Sequence, residues 1–73
     1  MPHVIVKLHP GRSEEQKQRL AEAIAKNVEE IAVCPADVIS VAIEEVPAAE
    51  WHERVYKPDI LANPQLLYKK NKS

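Results

Sequence analysis

The chain reads as a small α/β protein built on one βαβ unit, and three features predict it. Two runs of β-type residues, His3 to Leu8 and Val38 to Val46, bracket an amphipathic stretch of eighteen residues, Glu14 to Ile31. The segment Ser13-Glu14-Glu15-Gln16 opens that stretch as a capping signal, and Cys34-Pro35 closes it. Two strands joined through a helix require a crossover, which is nearly always right-handed and leaves the strands parallel.

In the first strand Val4, Val6 and Leu8 share one face, and His3, Ile5 and Lys7 share the other. His9-Pro10-Gly11 ends it, since Pro10 donates nothing to a ladder and the only glycine permits a sharp turn. The Ser13 hydroxyl is then expected to accept from the Gln16 N–H while the Gln16 side chain accepts from that of Ser13. Glu14 and Glu15 suit the positive end of the helix dipole. Leu20, Ile24, Val28 and Ile31, with Ala21 and Ala23 alongside, form the predicted apolar stripe. In the second strand Ile39, Val41 and Ile43 lie on one side, with Val38, Ser40, Ala42 and Glu44 on the other.

After Pro47 the pattern predicts a short helix, Ala48 to Tyr56, carrying Trp51. From Lys57 onward Pro58 and Pro64 punctuate an extended tail with two apolar pieces, Ile60-Leu61 and Leu66-Leu67-Tyr68, and a solvated basic end. Residues 1–73 thus read as a single domain, with a βαβ core over 2–46 and an extension over 47–73.

A chain this short buries only about 60% of its unfolded surface and often needs a staple or a partner. Cys34 is the sole cysteine, so no internal disulfide and no cysteine-based zinc site forms, and the thiol is expected to serve as a small buried apolar side chain. Self-association is the remaining source of buried surface. Ten basic and eleven acidic residues leave a net charge of −1, without the electrostatic footprint of a nucleic-acid or membrane binder. No apolar run approaches the ~20 residues of a membrane span, and no charged segment followed by an apolar core marks a signal peptide. The cytoplasm is the expected location. His3 and His9 lie too far apart on an extended strand to share a metal, and His52 has no spacing partner, so no metal site is expected.

Pro2 is the candidate for the chemistry. A small residue after an initiator Met is the usual condition for its removal, which would leave Pro2 as a free secondary amine at the head of a strand. An α-amino group titrates at roughly 7.7–8.0, and apolar surroundings lower that value by disfavouring the ammonium. A neutral amine at working pH is a competent general base.

A βαβ unit opened by Pro2, with Gly11-Arg12-Ser13, a Glu-Glu-Gln-Lys helix start, Pro35, Val41-Ala42-Ile43-Glu44-Glu45 and Trp51, resembles the 4-oxalocrotonate tautomerase family. The likeness covers roughly residues 2 to 52. The longer tail, with Trp51 and Tyr56-Lys57-Pro58, is more similar to the bacterial subgroup of slightly longer, often dimeric tautomerases than to the shortest, hexameric members. The resemblance implies keto–enol proton transfer by Pro2 without a cofactor, binding of a substrate carboxylate by Arg12, and an apolar pocket lined by Trp51. It departs at Ser40, where the founding enzymes place an arginine that polarises the substrate carbonyl. That departure shifts the expected substrate from a dicarboxylate dienol to a simpler, arylpyruvate-like 2-keto acid or its enol. The enolate would then be stabilised by a partner's Arg12, by Ser40 or by a backbone N–H. The same scaffold also supports hydratase, dehalogenase or decarboxylase chemistry, iminium formation by Pro2, or a non-catalytic role if Met1 stays in place.

The strand adds a constraint of its own. Six or seven residues at about 3.3 Å each separate Pro2 from Arg12 by about 20 Å within one subunit, more than one small substrate spans. Two units paired antiparallel about a two-fold axis would bring the Arg12 end of one to the Pro2 end of the other. The expected assembly is a homodimer with a four-stranded sheet and two helices, a hexamer being the other possibility.

Overall fold

The parallel crossover expected from the sequence organises the computed structural model, which describes residues 1–72. Ser73, the last residue of the predicted tail, lies outside the described residues. Strand β1 (His3–Leu8) pairs in parallel with β2 (Ser40–Glu45), and helix α1 (Glu14–Ile31) connects them. The register sets His3 opposite Ser40 and Leu8 opposite Glu45. Hydrogen bonding continues past the strand ends, from Ser40 N–H to the Pro2 carbonyl at 3.2 Å and from Val46 N–H to the Leu8 carbonyl at 2.8 Å. The second strand is shorter than the predicted Val38–Val46. Ala36–Val38 winds into a 3₁₀ turn instead, and the Ile39 N–H closes it by donating to the Ala36 carbonyl at 3.1 Å.

The capping box at Ser13 is complete. Gln16 N–H donates to Ser13 Oγ at 3.1 Å, and Ser13 N–H donates to Gln16 Oε1 at 2.8 Å. One turn on, Lys17 pairs with Glu14 and, at 3.3 Å, with Glu45, which ties the helix start to the end of β2. Its ammonium is held above the ordinary lysine value, first by the hydrogen bond to Glu14. A raised folded-state value gives stabilisation that is full below the ordinary lysine range and fades only as pH climbs through the raised value. Neutral pH leaves this link intact.

The covered face of α1 is narrower than the predicted stripe. Lys17, Ala21, Ile24, Ala25 and Val28 are half-buried, whereas Leu20, Ala23 and Ile31 are exposed, Ile31 by 82%. A two-stranded sheet is too narrow to cover the flank that carries Leu20, and Ile31 sits on the last residue of the helix. Cys34, expected to be buried, is half-buried, its thiol donating weakly to the Val28 carbonyl at 3.9 Å.

The extension differs most from expectation. A 3₁₀ turn at Ala48–Glu50 leads into a π-helix, His52–Leu61, which runs through Pro58, and a further 3₁₀ turn covers Pro64–Leu66. In an α-helix the proline ring would collide with the carbonyl four residues earlier; the wider i→i−5 winding replaces that geometry. Ala62 N–H accordingly donates to the Lys57 carbonyl at 3.0 Å, and Asn63 Nδ2 donates to the Pro58 carbonyl at 2.8 Å. The π-helix is tied to the strands by Lys7–Asp59 at 2.5 Å and Arg54–Glu44 at 3.0 Å. Val46 and Val55 are the only buried apolar side chains among the described residues, and Val46 alone is fully buried.

One protomer is therefore loosely closed. Its accessible surface is 5851 Å², against about 4,500 Å² for a compact monomer of this mass. Its radius of gyration is 13.6 Å, against about 11 Å for a compact chain of this length.

The C-terminus of α1 stores strain. Cys34 N–H donates to the Glu29 carbonyl at 3.3 Å across Val33, which holds φ +57°. This is the 6→1 bond of a Schellman end, with a β-branched residue where glycine is favoured. Val33 is 83% exposed, so little packing offsets the cost. Val33→Gly is expected to stabilise the fold by about 1 kcal/mol, read from urea unfolding; an unchanged or lower midpoint would contradict this.

Candidate active site

The expected site residues fall into two groups at opposite ends of β1. Pro2 and Ser40 stand at its start, and Arg12 and Trp51 beyond its end.

At the start, Pro2 is half-buried and its carbonyl holds the Ser40 N–H. His3 Nδ1 and Ser40 Oγ are hydrogen-bonded at 2.6 Å, the direction depending on the imidazole tautomer. The parallel register places these two residues side by side on the sheet face turned away from α1.

At the far end, Gly11 holds φ +129°, a conformation that side chains resist although open space surrounds it. This turn carries the chain from β1 to the Ser13 cap and leaves Arg12 on the surface between them. Trp51 is half-buried and meets the His9 ring edge-to-face, centroids 4.8 Å apart and planes at 87°. An open cleft of ≈ 350 Å³ is lined by Lys7, Leu8, His9, Arg12 and Trp51. Trp51 also borders a second hollow of ≈ 390 Å³ with His52, Tyr56 and Asn71. A larger furrow of ≈ 570 Å³ runs along the outer side of α1 and includes none of the expected site residues.

The charges in the cleft are unequal. Lys7 is engaged by Asp59, whereas Arg12 makes no ion pair among the described residues and donates only a long hydrogen bond, 3.4 Å, to the His9 carbonyl. A planar fork of donors beside an aromatic wall suits a carboxylate attached to an apolar body. No group of three metal-ligating side chains converges among the described residues. His9 and Lys7 also line this cleft, beyond the residues expected there. His9 sits in the same turn as Arg12, which is the signal that could have found it; Lys7 follows only once the π-helix is placed.

No helix among the described residues is long and apolar enough to cross a membrane. The family model for tautomerase enzymes matches residues 2–53. A probable tautomerase of Xylella fastidiosa is 40% identical over 70 residues, covering 96% of this chain and 85% of that protein. Tautomerase PptA of Pectobacterium atrosepticum is 37% identical over 71 residues, covering 96% of this chain and 93% of its own. Both alignments run well into the extension. Among solved structures, TomN, a 4-oxalocrotonate tautomerase homologue of the tomaymycin biosynthetic pathway, superposes with a TM-score of 0.66 at 32% identity, covering 68% of this chain and 77% of its own. A heterohexameric 4-oxalocrotonate tautomerase from Chloroflexus aurantiacus gives 0.67 at 31% identity, covering 70% and 82%. The chain belongs to the 4-oxalocrotonate tautomerase family, and with that membership goes the activity of a tautomerase, an isomerase.

Proposed function

We propose that the protein moves a proton between carbon and oxygen in a small, arylpyruvate-like 2-keto acid or its enol, with Pro2 as the general base once Met1 is removed. The observation that carries this reading is the Arg12 guanidinium, without an ion pair among the described residues, lining the same cleft as the Trp51 ring one strand length from Pro2. An arylpyruvate has the two matching parts, a carboxylate for the guanidinium and an apolar ring for the indole.

Neither end suffices alone, since β1 holds them about 20 Å apart. The reading therefore includes a homodimer in which two βαβ units lie antiparallel and each site combines Pro2 of one protomer with Arg12 of the other. The surplus surface of the lone protomer supports it. Exposed Ile5, Leu20, Ile31 and Val33 are apolar groups that a second copy could cover. Covering the Pro2 end would also dry it, which favours the neutral amine.

The reaction then needs three things from this chain. Arg12 fixes the carboxylate, so the reacting carbon is presented to Pro2 rather than tumbling. Neutral Pro2 takes the proton from carbon, and the released electron pair becomes the C=C bond of the enolate. The protonated Pro2 gives that proton to the oxygen, so the amine is regenerated and no cofactor is consumed. Ser40, the partner's guanidinium or a backbone N–H stabilises the oxyanion meanwhile.

Arg12→Ala should raise KM for phenylenolpyruvate by about tenfold or more, the scale of a lost charged hydrogen bond, with a smaller effect on a substrate lacking the carboxylate. Equal effects on both substrates would remove Arg12 from carboxylate recognition. Pro2→Ala and Arg12→Ala chains should each be inactive or weak as pure proteins. Unfolded together and refolded, they should regain activity, because a mixed dimer holds one intact site. No recovery in a mixture shown by mass to contain mixed dimers would contradict the shared site.

A further inference from the structure

We propose that His3 and Ser40 act as a hydrogen-bonded donor pair for the substrate's carbonyl oxygen, Ser40 touching the oxygen and His3 positioning Ser40. This inference rests on the proton transfer by Pro2 proposed above and names the group that receives the developing negative charge.

Four observations converge on the pair. The two side chains are register partners, so the ladder itself holds them together. Their 2.6 Å separation is short for a nitrogen–oxygen hydrogen bond. The Ser40 N–H is fixed on the Pro2 carbonyl at 3.2 Å, which holds the Ser40 backbone beside the residue proposed as base. Both side chains are exposed in the protomer, so a ligand can reach them.

The chemistry depends on where the imidazole proton sits. With Nδ1–H donating into Ser40 Oγ, the serine proton is turned outward and free to bind an oxyanion. The incoming hydrogen bond also polarises the hydroxyl and strengthens it as a donor. With Nδ1 bare, the serine proton points back to the ring and the substrate meets lone pairs only. His3 thus decides whether Ser40 stabilises an enolate or repels it.

The step balances without another reactant. The C–H bond breaks, its proton goes to the Pro2 nitrogen, and its electron pair forms the C=C bond. The carbonyl π pair moves onto oxygen, which accepts the Ser40 O–H hydrogen bond without taking its proton. The Pro2 ammonium then protonates that oxygen, or the carbon again.

The test uses the processed full chain and phenylenolpyruvate. Ser40→Thr and Ser40→Val differ by one hydroxyl at nearly constant shape, and both suit a strand. Ser40→Thr should keep kcat within a fewfold, whereas Ser40→Val should lose about 10²-fold in kcat with little change in KM, the loss typical of one oxyanion donor. His3→Ala should lose about tenfold, and His3→Asn, which restores a donor near the Nδ1 position, should recover most of it. Combined with Ser40→Val, His3→Ala should cost nothing further, because the pair acts as a unit. If kcat survives Ser40→Val and His3→Ala while Pro2→Ala abolishes it, the pair is overturned and the Pro2 reading stands. Losses that multiply in the double variant and resist His3→Asn also overturn it. No turnover by the parent protein overturns both.

Discussion

One unbroken parallel strand pairing governs this molecule. Because β1 runs straight from His3 to Leu8 against β2, whatever precedes it and whatever follows it are fixed a full strand apart. The crossover then returns α1 over one face only. Pro2 and the His3–Ser40 pair thus share one end of the sheet, while the Gly11 turn, Arg12 and Trp51 share the other. Neither end can bend toward its counterpart without breaking the ladder. Chemistry that uses both ends would have to draw them from different copies, so the proposed reading ties catalysis to assembly through the same piece of geometry.

The energetics lean the same way. A two-stranded sheet has two free edges and one helix to cover it, a poor basis for independent stability. Val46 and Val55 are the only buried apolar side chains among the described residues, and they lie where the extension meets the end of β2 rather than beneath α1. Exposed ion pairs hold the π-helix to the strands, and such pairs are individually weak. Their value here is directional: Lys7–Asp59 and Arg54–Glu44 reach the face of the sheet opposite α1 and set where the π-helix lies. Trp51, just before that helix, is thereby held against His9. The extension is thus part of how the aromatic wall of the Arg12 cleft is built.

Local signals in the sequence were readable, and non-local ones were not. The capping box at Ser13, the extent of α1 and the turn at Gly11 each depend on neighbouring residues, and each is present as expected; the parallel crossover follows from the order of strand, helix and strand. The width of the helix stripe depends on how much sheet lies beneath it, which Leu20 and Ile31 cannot report. Pro58 falls in the segment expected to be an extended tail after a short helix ending at Tyr56; the π winding that carries the chain through it is rare enough to escape pattern reading. The His3–Ser40 bond required the inter-strand register, and alternation within each strand does not fix the offset between them. Family resemblance pointed to Pro2, Arg12, Ser40 and Trp51 together, and the fold explains why they come as two separated pairs.

On the proposed reading, assembly places the Pro2 nitrogen in a dry, apolar setting where it is a neutral base. The most direct measurement is a ¹⁵N titration of Pro2 in the processed, assembled protein. The amine should titrate clearly below the ordinary α-amino range of roughly 7.7–8.0 and return toward it when assembly is broken. A nitrogen that titrates like a free peptide terminus in the assembled protein, or one still joined to Met1 in the active form, would contradict the claim.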